Sequence, residues 1–323
     1  MQENKSNQSF HNTGIDWTKE EKDVSSTDWV FGGVYADELI EIFDPEDYLP
    51  KGESQALGQD KMDCVTRAYI NKMESFQTYE YRNQRMSPGN RKWVEDAGFI
   101  VWEKGMPYFR ISNKFTAIKS GTTRNGNSLI KPADSIYRDG VVSKVMLTED
   151  KPETWEEYHN KKQITQEMID IGKEYTRRFP TNYEKIPQSK WKELPLGCAC
   201  AVYAWPNPIN GVYPRTEGRF GHCVYEFKPT KYYKSKNWKI YDNYENWRVN
   251  GGWIKELAPD YNFYPYGYRL IFRESPMYEA PADGETYNKE FKKGAWLTFL
   301  QMWHAVFKNV RAVGGAIIDK LKF

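Results

Sequence analysis

The sequence contains few cysteines and few histidines, four of each in 323 residues. Four cysteines are too few for the disulfide-dense scaffold of small secreted domains. Neither sign of charge is in excess: 46 Lys and Arg stand against 44 Asp and Glu, which gives a net charge of +2. Proteins whose main partner is nucleic acid usually carry a strong basic excess, so we expect no nucleic-acid partner.

Long apolar runs are lacking as well. No stretch reaches the roughly 18 uncharged residues that a transmembrane helix needs. The first thirty residues contain no apolar signal core, so we do not expect secretion by the standard route. These features together predict a chain without a transmembrane segment and with a cytoplasmic location.

Aromatic residues, by contrast, are abundant. They make up 16% of the chain, with 12 Trp and 23 Tyr. Domains rich in these two residues often have aromatic-lined grooves or large partner surfaces. The length is ample for a buried core.

The chain divides into four predicted regions. Residues 1–28 are polar and lack periodicity, which predicts a flexible N-terminal arm. Residues 29–273 are predicted to form one domain, and residues 274–287 a linker rich in Pro, Gly and Glu. Residues 288–323 carry an apolar stripe at helical spacing and predict an amphipathic C-terminal helix. That helix could pack on its own domain, associate with a partner or a second copy, or lie on a membrane surface.

Local patterns within the domain predict helices first and strands later. Apolar positions 65, 68, 69, 73 and 76 predict a helix that begins at Cys64, with Asp63 as its N-cap. A second helix is predicted over 164–178, and residues 86–152 are predicted to be loops with short segments. The predicted strands are 196–204, 221–227, 238–241 and 268–272. This order favours the α+β class.

Three residues in this pattern suit nucleophilic catalysis. A helix N-terminus favours a thiolate, so Cys64 is a candidate nucleophile with a lowered pKa. His222, at the start of a predicted strand, could form an ion pair with that thiolate and later protonate a leaving amine. Asp242, at the end of another strand, could fix the tautomer of the imidazole. Taken singly, each has a simpler interpretation: a small buried residue, a packed histidine and a turn.

The order and spacing of the three residues strengthen the catalytic interpretation. His222 follows Cys64 by 158 residues, and Asp242 follows His222 by 20. In papain-like chains the histidine and asparagine follow the cysteine by about 130–150 residues. The spacing in this chain is slightly longer.

Several segments carry a specific resemblance. Tyr48-Leu49-Pro50, Glu53-Ser54-Gln55 and Cys64-Val65-Thr66-Arg67-Ala68 resemble the Gln…Cys-helix segment of papain-like cysteine peptidases, in particular a divergent branch from bacteriophage and metagenomic sequences. Residues 195–213, leading into Gly221-His222, resemble the strand and loop before the family's histidine. Residues 238–247 resemble its Asn-Ser-Trp-Gly segment. The resemblance covers residues 28–273.

The resemblance implies a two-lobed papain-like fold, with a helical lobe that carries Cys64 and an antiparallel β lobe that carries His222. Cys64 would be the nucleophile and His222 the base and then the acid. Asp242 stands where the family has Asn and would orient His222, with Asn243 beside it, while Tyr244 stands where a Trp shields that hydrogen bond.

A glutamine before the cysteine would complete the family's oxyanion hole. Gln55 fits the Glu-x-Gln pattern of the divergent branch, whereas Gln59 is nearer the usual separation from the cysteine. We favour Gln55. The implied function is hydrolysis of peptide bonds in a protein or peptide substrate through an acyl-enzyme, without a metal or other cofactor.

The sequence also departs from the family. The Cys-Gly-Ser-Cys-Trp motif is absent, and only 63 residues precede Cys64. This is too short for the full inhibitory prosegment, so we do not expect control by prosegment removal.

Three alternatives remain open. The chain could be an inactive scaffold that binds partners, virion-associated if a phage encodes it, or an amidase that cleaves peptidoglycan. Cys198, Cys200, His222 and Cys223 could also be considered a zinc site, but Cys-x-Cys in a strand is more typical of reduced, packed cysteines than of a closed zinc site.

Overall fold

The fold is described from a computed structural model. It describes residues 14–23, 44–194, 196–203, 207–227, 236–246 and 252–272. The predicted linker 274–287 and C-terminal helix 288–323 lie outside these residues, so both stay predictions. Within the described ranges, no helix combines the length and the apolar character that crossing a bilayer requires.

The described residues form seven α-helices and nine strands. The helices are α1 (Trp17–Asp23), α2 (Cys64–Arg82), α3 (Pro88–Asp96), α4 (Asn113–Lys119), α5 (Ile130–Asp139), α6 (Trp155–Tyr158) and α7 (Gln166–Arg178). The strands are β1 (Ile100–Glu103), β2 (Met106–Phe109), β3 (Thr181–Pro187), β4 (Cys198–Tyr203), β5 (Val212–Tyr213), β6 (Phe220–Phe227), β7 (Trp238–Asn246), β8 (Gly252–Leu257) and β9 (Tyr266–Phe272). This mixed content, with most helices before the main strands, confirms the α+β prediction.

Helix α2 is the element around which the other helices and the sheet pack. It contacts β6, β4 and β7 on the sheet side and α4, α5 and β2 on the other. Most of its 19 residues are therefore buried. The helix begins at Cys64, as the apolar spacing predicts. Asp63 holds the N-cap position, but its side chain makes no capping hydrogen bond and instead pairs with Arg67 one turn later.

The main sheet has seven strands in the order β3-β9-β4-β6-β7-β8-β5. All neighbours are antiparallel except β5 and β8, which run parallel. Strands β1 and β2 form a separate antiparallel hairpin. The register between β7 and β8 shifts between Tyr241 and Asn246, and Asp242 lies in this irregular stretch.

Alternation along the strands gives the sheet two buried faces. Ala199, Ala201 and Cys223 belong to the core that includes α2. Cys198, Cys200 and Val224 belong to a second core on the opposite face, under Trp191 and Trp238. Side chains of successive residues in a strand point to opposite faces, which explains why both cores draw on the same strands.

Two of the sequence predictions are wrong in detail, and two strands were missed. Residues 86–152 contain α3, α4, α5 and the β1–β2 hairpin, not loops with short segments. Ser87 and Ser112 accept hydrogen bonds from the first turns of α3 and α4, which stabilises helices too short to show a clear apolar period. Strands β3 and β8 carry many charged and polar residues and were not predicted. Asp242, expected at the end of a strand, lies inside β7.

Part of the predicted N-terminal arm is folded. Ile15 forms a parallel bridge with Asn127 and is fully buried. Glu20, also buried, accepts hydrogen bonds from the Leu129 backbone and the Tyr266 hydroxyl. These tertiary contacts fix a polar segment that has no periodicity of its own. The rest of the arm lies outside the described residues.

Candidate active site

Cys64 occupies the first turn of α2 and is completely buried. Burial raises the pKa of the Cys64 thiol well above its usual value. The backbone of Cys223, the residue after His222, acts to lower this pKa, and the carboxylates of Asp60, Asp63 and Asp242 raise it further. The sequence led us to expect a lowered pKa. In this closed arrangement, the cost of burying a thiolate is larger than the stabilisation that the N-terminus of α2 gives it.

A buried network of charges surrounds the start of α2. Arg67 Nε contacts Asp63 Oδ1 at 2.8 Å, and its Nη2 contacts Glu149 Oε2 at 2.6 Å. The Tyr158 hydroxyl lies between the same two carboxylates, 2.6 Å from Asp63 and 2.9 Å from Glu149. The network balances charge that would otherwise be buried next to Cys64, and it holds the N-terminus of the helix in place.

His222 and Asp242 form a fully buried pair between β6 and β7. His222 Nε2 lies 2.6 Å from Asp242 Oδ1, and the two side chains are 1% and 0% exposed. A carboxylate accepts, so Nε2 carries the proton of this hydrogen bond. The remaining ring nitrogen, Nδ1, is then the atom that can exchange a proton during a reaction.

Asp242 also binds Lys255 and its own backbone. Oδ1 accepts hydrogen bonds from the backbone N–H of Asn243 at 2.7 Å and of Tyr244 at 3.3 Å. Oδ2 pairs with the ammonium of Lys255 in β8. Burial alone would raise the pKa of Asp242, but Lys255 and then His222 hold it below its usual value. Asp242 is therefore ionised at neutral pH.

Gln55 lies in the same region and Gln59 does not. Gln55 is fully buried, and its Nε2 donates to the Tyr244 hydroxyl at 2.7 Å and to Asp60 Oδ1 at 2.9 Å. Its backbone N–H donates to the Asn243 carbonyl at 3.2 Å. Gln59 is exposed, and its Oε1 accepts from the Trp155 backbone. The structure therefore links the first glutamine alone to the Asp242-Asn243-Tyr244 segment.

Tyr244 and Asn243 connect this segment to its surroundings. The Tyr244 ring lies 5.1 Å from the His222 ring, tilted by 47°, and its hydroxyl donates to Asp60. Asn243 Oδ1 accepts from Asn71 Nδ2 on α2 at 3.0 Å. The tyrosine covers one side of the imidazole, and the asparagine ties β7 to the nucleophile helix.

The N-terminal segment covers Cys64. Gly14 approaches so closely that a Cβ there would lie 2.8 Å from Cys64 Sγ and 3.0 Å from the Met62 carbonyl oxygen. Gly14 also has φ +118°, a conformation that side chains disfavour. Trp17 Nε1 donates to the Phe220 carbonyl at 2.6 Å, and its ring lies 4.6 Å from that of Tyr264. The nucleophile candidate is thus closed off by the chain itself, although the sequence predicted no such control.

The four residues considered for zinc do not form one cluster. Cys198 and Cys200 face one core and Cys223 faces the other. All four cysteines are free and buried. Among the described residues, no group of three His, Cys, Asp or Glu side chains has a geometry suited to a metal ion.

Sequence reasoning missed three contributors to this region: Lys255, Asp60 and Gly14. Lys255 stands in a segment with charged and polar alternation, which normally indicates solvent exposure. Asp60 lies in the loop before α2 and has no distinguishing neighbour in the sequence. Gly14, close to Cys64 only in three dimensions, had no local signal that could identify it.

Comparisons with known proteins give limited likeness. No protein-family model matches the chain, and no curated protein matches it. Among solved structures, it is similar to the Amb a 11 cysteine protease of ragweed pollen in its proform, with a TM-score of 0.46 and 11% identity, over 74% of this chain and 69% of that one. A structure from work on antibody cross reactivity between the mite allergens Blo t 1 and Der p 1 has the same TM-score and identity, over 80% of this chain and 78% of that one. The phage-type branch is represented by neither and stays a prediction.

Proposed function

We propose that this chain is a papain-like cysteine peptidase with Cys64, His222 and Asp242 as its catalytic residues. The observation that carries the proposal is the buried hydrogen bond between His222 and Asp242, in a chain whose helix α2 begins at Cys64. Asp242 and the backbone of Cys223, the residue after His222, both act on the pKa of the Cys64 thiol, the first raising it and the second lowering it. A buried imidazole–carboxylate pair beside a nucleophile is the arrangement that acyl transfer needs.

The first half of the reaction forms an acyl-enzyme. The Cys64 thiol gives its proton to His222 Nδ1, and Sγ adds to the carbonyl carbon of the peptide bond. The oxyanion forms opposite the backbone N–H of Cys64 and the side-chain amide of Gln55. The C–N bond then breaks, and the leaving amine takes the proton from Nδ1.

The second half releases the acid. A water molecule gives a proton to His222 Nδ1 as its oxygen adds to the thioester carbonyl. The C–S bond breaks, the carboxylic acid leaves, and the sulfur and imidazole return to their starting protonation states. Asp242 holds Nε2 throughout and fixes the orientation and tautomer of the imidazole. Tyr244, against one side of the His222 ring, keeps water from the hydrogen bond between His222 and Asp242.

Gln55 must rearrange for this mechanism. Both N–H bonds of its amide already go to Tyr244 and Asp60, so one of them has to be released to the oxyanion. The covering segment around Gly14 must also leave Cys64 before a substrate can reach it. The proposed enzyme is therefore inactive in the closed state and acts when this segment transiently opens.

Hydrolysis assays test the proposal. The full chain should cleave unfolded casein, and Cys64→Ala should abolish cleavage while circular dichroism shows an unchanged fold. Cys200→Ala, in the core on the other face of the sheet, is the matched control and should stay active. Cleavage that survives in Cys64→Ala would refute the assignment. The same chemistry would cut amide bonds of a peptidoglycan stem, so purified peptidoglycan should be assayed beside casein.

One observation favours a second candidate, a non-catalytic scaffold of the same fold. Cys64 is fully buried with a raised pKa, as a structural cysteine would be. Alkylation with iodoacetamide at about pH 6, followed by peptide mapping, separates the two proposals. A catalytic Cys64 should react faster than Cys198, Cys200 and Cys223, and His222→Ala should remove the difference. Equal, slow labelling of all four would favour the scaffold.

A further inference from the structure

We infer that Lys255 is a positioning residue of the proposed active site. Its ammonium neutralises Asp242, so that the carboxylate orients His222 through one oxygen as a neutral amide would. The inference rests on the proposed function, but it concerns a residue to which the mechanism above gives no part.

The geometry divides the two oxygens of Asp242 between two tasks. Oδ1 accepts from His222 at 2.6 Å and from the backbone N–H of Asn243 at 2.7 Å. Oδ2 pairs with Lys255. The Lys255 ammonium also donates to the Tyr244 carbonyl at 2.7 Å. One lysine therefore contacts both the side chain of Asp242 and the backbone that follows it.

Strand pairing brings Lys255 to this position. Lys255 in β8 lies opposite Ile240 in β7, two residues before Asp242. Its side chain is 3% exposed, which is rare for a lysine and is observed almost only where the charge is paired. The β7 backbone departs from regular register just after Tyr241. This irregularity lets the backbone N–H groups of Asn243 and Tyr244 point at Oδ1.

Neutralisation matters because Asp242 is buried. A lone carboxylate at 0% exposure is strongly disfavoured unless it is paired and hydrogen-bonded. A negative charge next to His222 also favours the imidazolium, and the same charge raises the pKa of the Cys64 thiol. Lys255 offsets both effects. The Asp242–Lys255 pair, which has no net charge, can then orient the His222 imidazole without strongly favouring its protonated form.

Other charged and titratable groups face Asp242 and belong to this balance. Tyr244 follows it in β7, Lys255 comes from β8, and His222 comes from β6. Cys64 acts from α2 and Tyr261 from the segment before β9, both through electrostatic interaction with Asp242. The loop before α2 contributes Asp60, whose carboxylate is held by Tyr244 and Gln55.

Removal of the ammonium should therefore shift both ionisations in the same direction. In Lys255→Met the uncompensated Asp242 holds the proton on His222 to higher pH and disfavours the Cys64 thiolate. Both limbs of the pH–rate profile should move to higher pH. At charge separations of about 6 Å and an effective dielectric constant of about 20, the shift is on the order of one to two pH units.

A double variant makes the test specific. Lys255→Met together with Asp242→Asn replaces the ion pair by a neutral pair of similar volume, a change that proteins often tolerate. The amide oxygen can still accept from His222, so the midpoints should return close to those of the unmodified chain. Asp242→Asn alone is uninformative because it removes the carboxylate that balances the buried ammonium of Lys255. Lys239→Met, which removes the lysine paired with Glu46, is the matched control and should shift neither limb.

Two readouts separate this inference from the proposed function. NMR titration of the His222 ring, in a Cys64→Ala background, needs no catalysis. Its midpoint should rise in Lys255→Met and return in the double variant. The pH profile of casein hydrolysis should change in the same way.

A His222 midpoint that does not move in Lys255→Met, or one that is equally shifted in the double variant, would overturn the role of Lys255. If Lys255→Met does not fold, the double variant decides: the inference requires it to fold and to titrate like the parent. If the His222 midpoint changes as expected but no variant or parent hydrolyses casein, the proposed enzymatic function is refuted and the role of Lys255 is not.

Discussion

The cover over Cys64 should open more readily when Trp17 is truncated. Because Cys64 is completely buried and Gly14 lies against its sulfur, detachment of residues 14–23 should help a solvent-borne reagent to reach it. Trp17 fixes this segment through a hydrogen bond to the Phe220 carbonyl and through its ring contact with Tyr264. Trp17→Ala removes both interactions and leaves the buried domain core in place.

The size of the effect follows from these contacts. Truncation of a fully buried Trp to Ala costs about 3–5 kcal/mol. Trp17 is only half-buried, so we take about 1–2 kcal/mol for packing and about 1 kcal/mol for the hydrogen bond. A total of about 2–3 kcal/mol would raise the open fraction about 30- to 150-fold. When opening and closing are faster than labelling, the labelling rate rises by the same factor.

The assay is alkylation of the native protein with iodoacetamide, quenched over time and mapped by mass spectrometry. Trp93→Ala serves as the matched control, since Trp93 is also half-buried but packs on Phe99 and Phe179, away from the cover. We expect faster labelling of Cys64 in Trp17→Ala and little change in Trp93→Ala. An unchanged Cys64 rate in folded Trp17→Ala would refute the idea that this segment controls access.

Three further predictions concern other parts of the molecule. Gln55→Ala should lower kcat about 10²–10³-fold with little change in KM, as loss of an oxyanion donor does, whereas Gln59→Ala should leave steady-state kinetics unchanged. Burial acts to raise the pKa of Glu149, but Arg67 and the hydrogen bonds to this carboxylate lower it below its usual value. The carboxylate therefore stabilises the fold at pH values above its unfolded pKa, and this stabilisation is lost as the pH falls through the lowered pKa. The loss of urea resistance between about pH 7 and about pH 3 should therefore be smaller in Glu149→Gln. Burial lowers the pKa of Lys72 to about 7, so at this residue the folded state binds fewer protons than the unfolded state from about pH 7 to about pH 10. Across that range the stability of the parent, measured by urea unfolding, should therefore rise with pH relative to that of Lys72→Met.

Elements with strong local periodicity could be predicted from the sequence. The helix from Cys64 and the strands around Cys200, Val224 and Leu270 have dense apolar patterns that point to buried elements. The predicted helix 164–178 corresponds to α7. In each case the signal lies within the segment itself, so no knowledge of the partner surface is needed.

Elements that depend on distant partners could not be predicted in this way. Strand β3 contains Glu184, which is buried by an ion pair with Arg269 in β9. Strand β8 contains Lys255, which is buried by Asp242. Read locally, both residues indicate solvent exposure. The pairing that buries them is decided by strands far apart in the sequence.

The same distinction applies to the candidate site. The residue types of Cys64, His222 and Asp242 could be proposed from their order along the chain, because nucleophile, base and orienting carboxylate have recognisable chemistry. The cover by Gly14 could not be proposed, because residues 1–28 have no apolar period and the contact depends on a glycine fitting beneath a backbone carbonyl. The raised pKa of Cys64 could not be predicted either, because it follows from the burial of the thiol.

Access and thiol ionisation are therefore one event in this molecule. Burial is the largest cause of the raised pKa of Cys64, while the Cys223 backbone N–H acts to lower it. Departure of residues 14–23 would readmit water to the sulfur but leave Cys223 and the start of α2 in place, so the pKa of the thiol must fall when the cover opens. Arg67 and Lys255 balance the negative charges of Asp63 and Asp242. These two carboxylates therefore do little to oppose the fall in the pKa of Cys64. Opening thus exposes the sulfur and favours its reactive form at the same time.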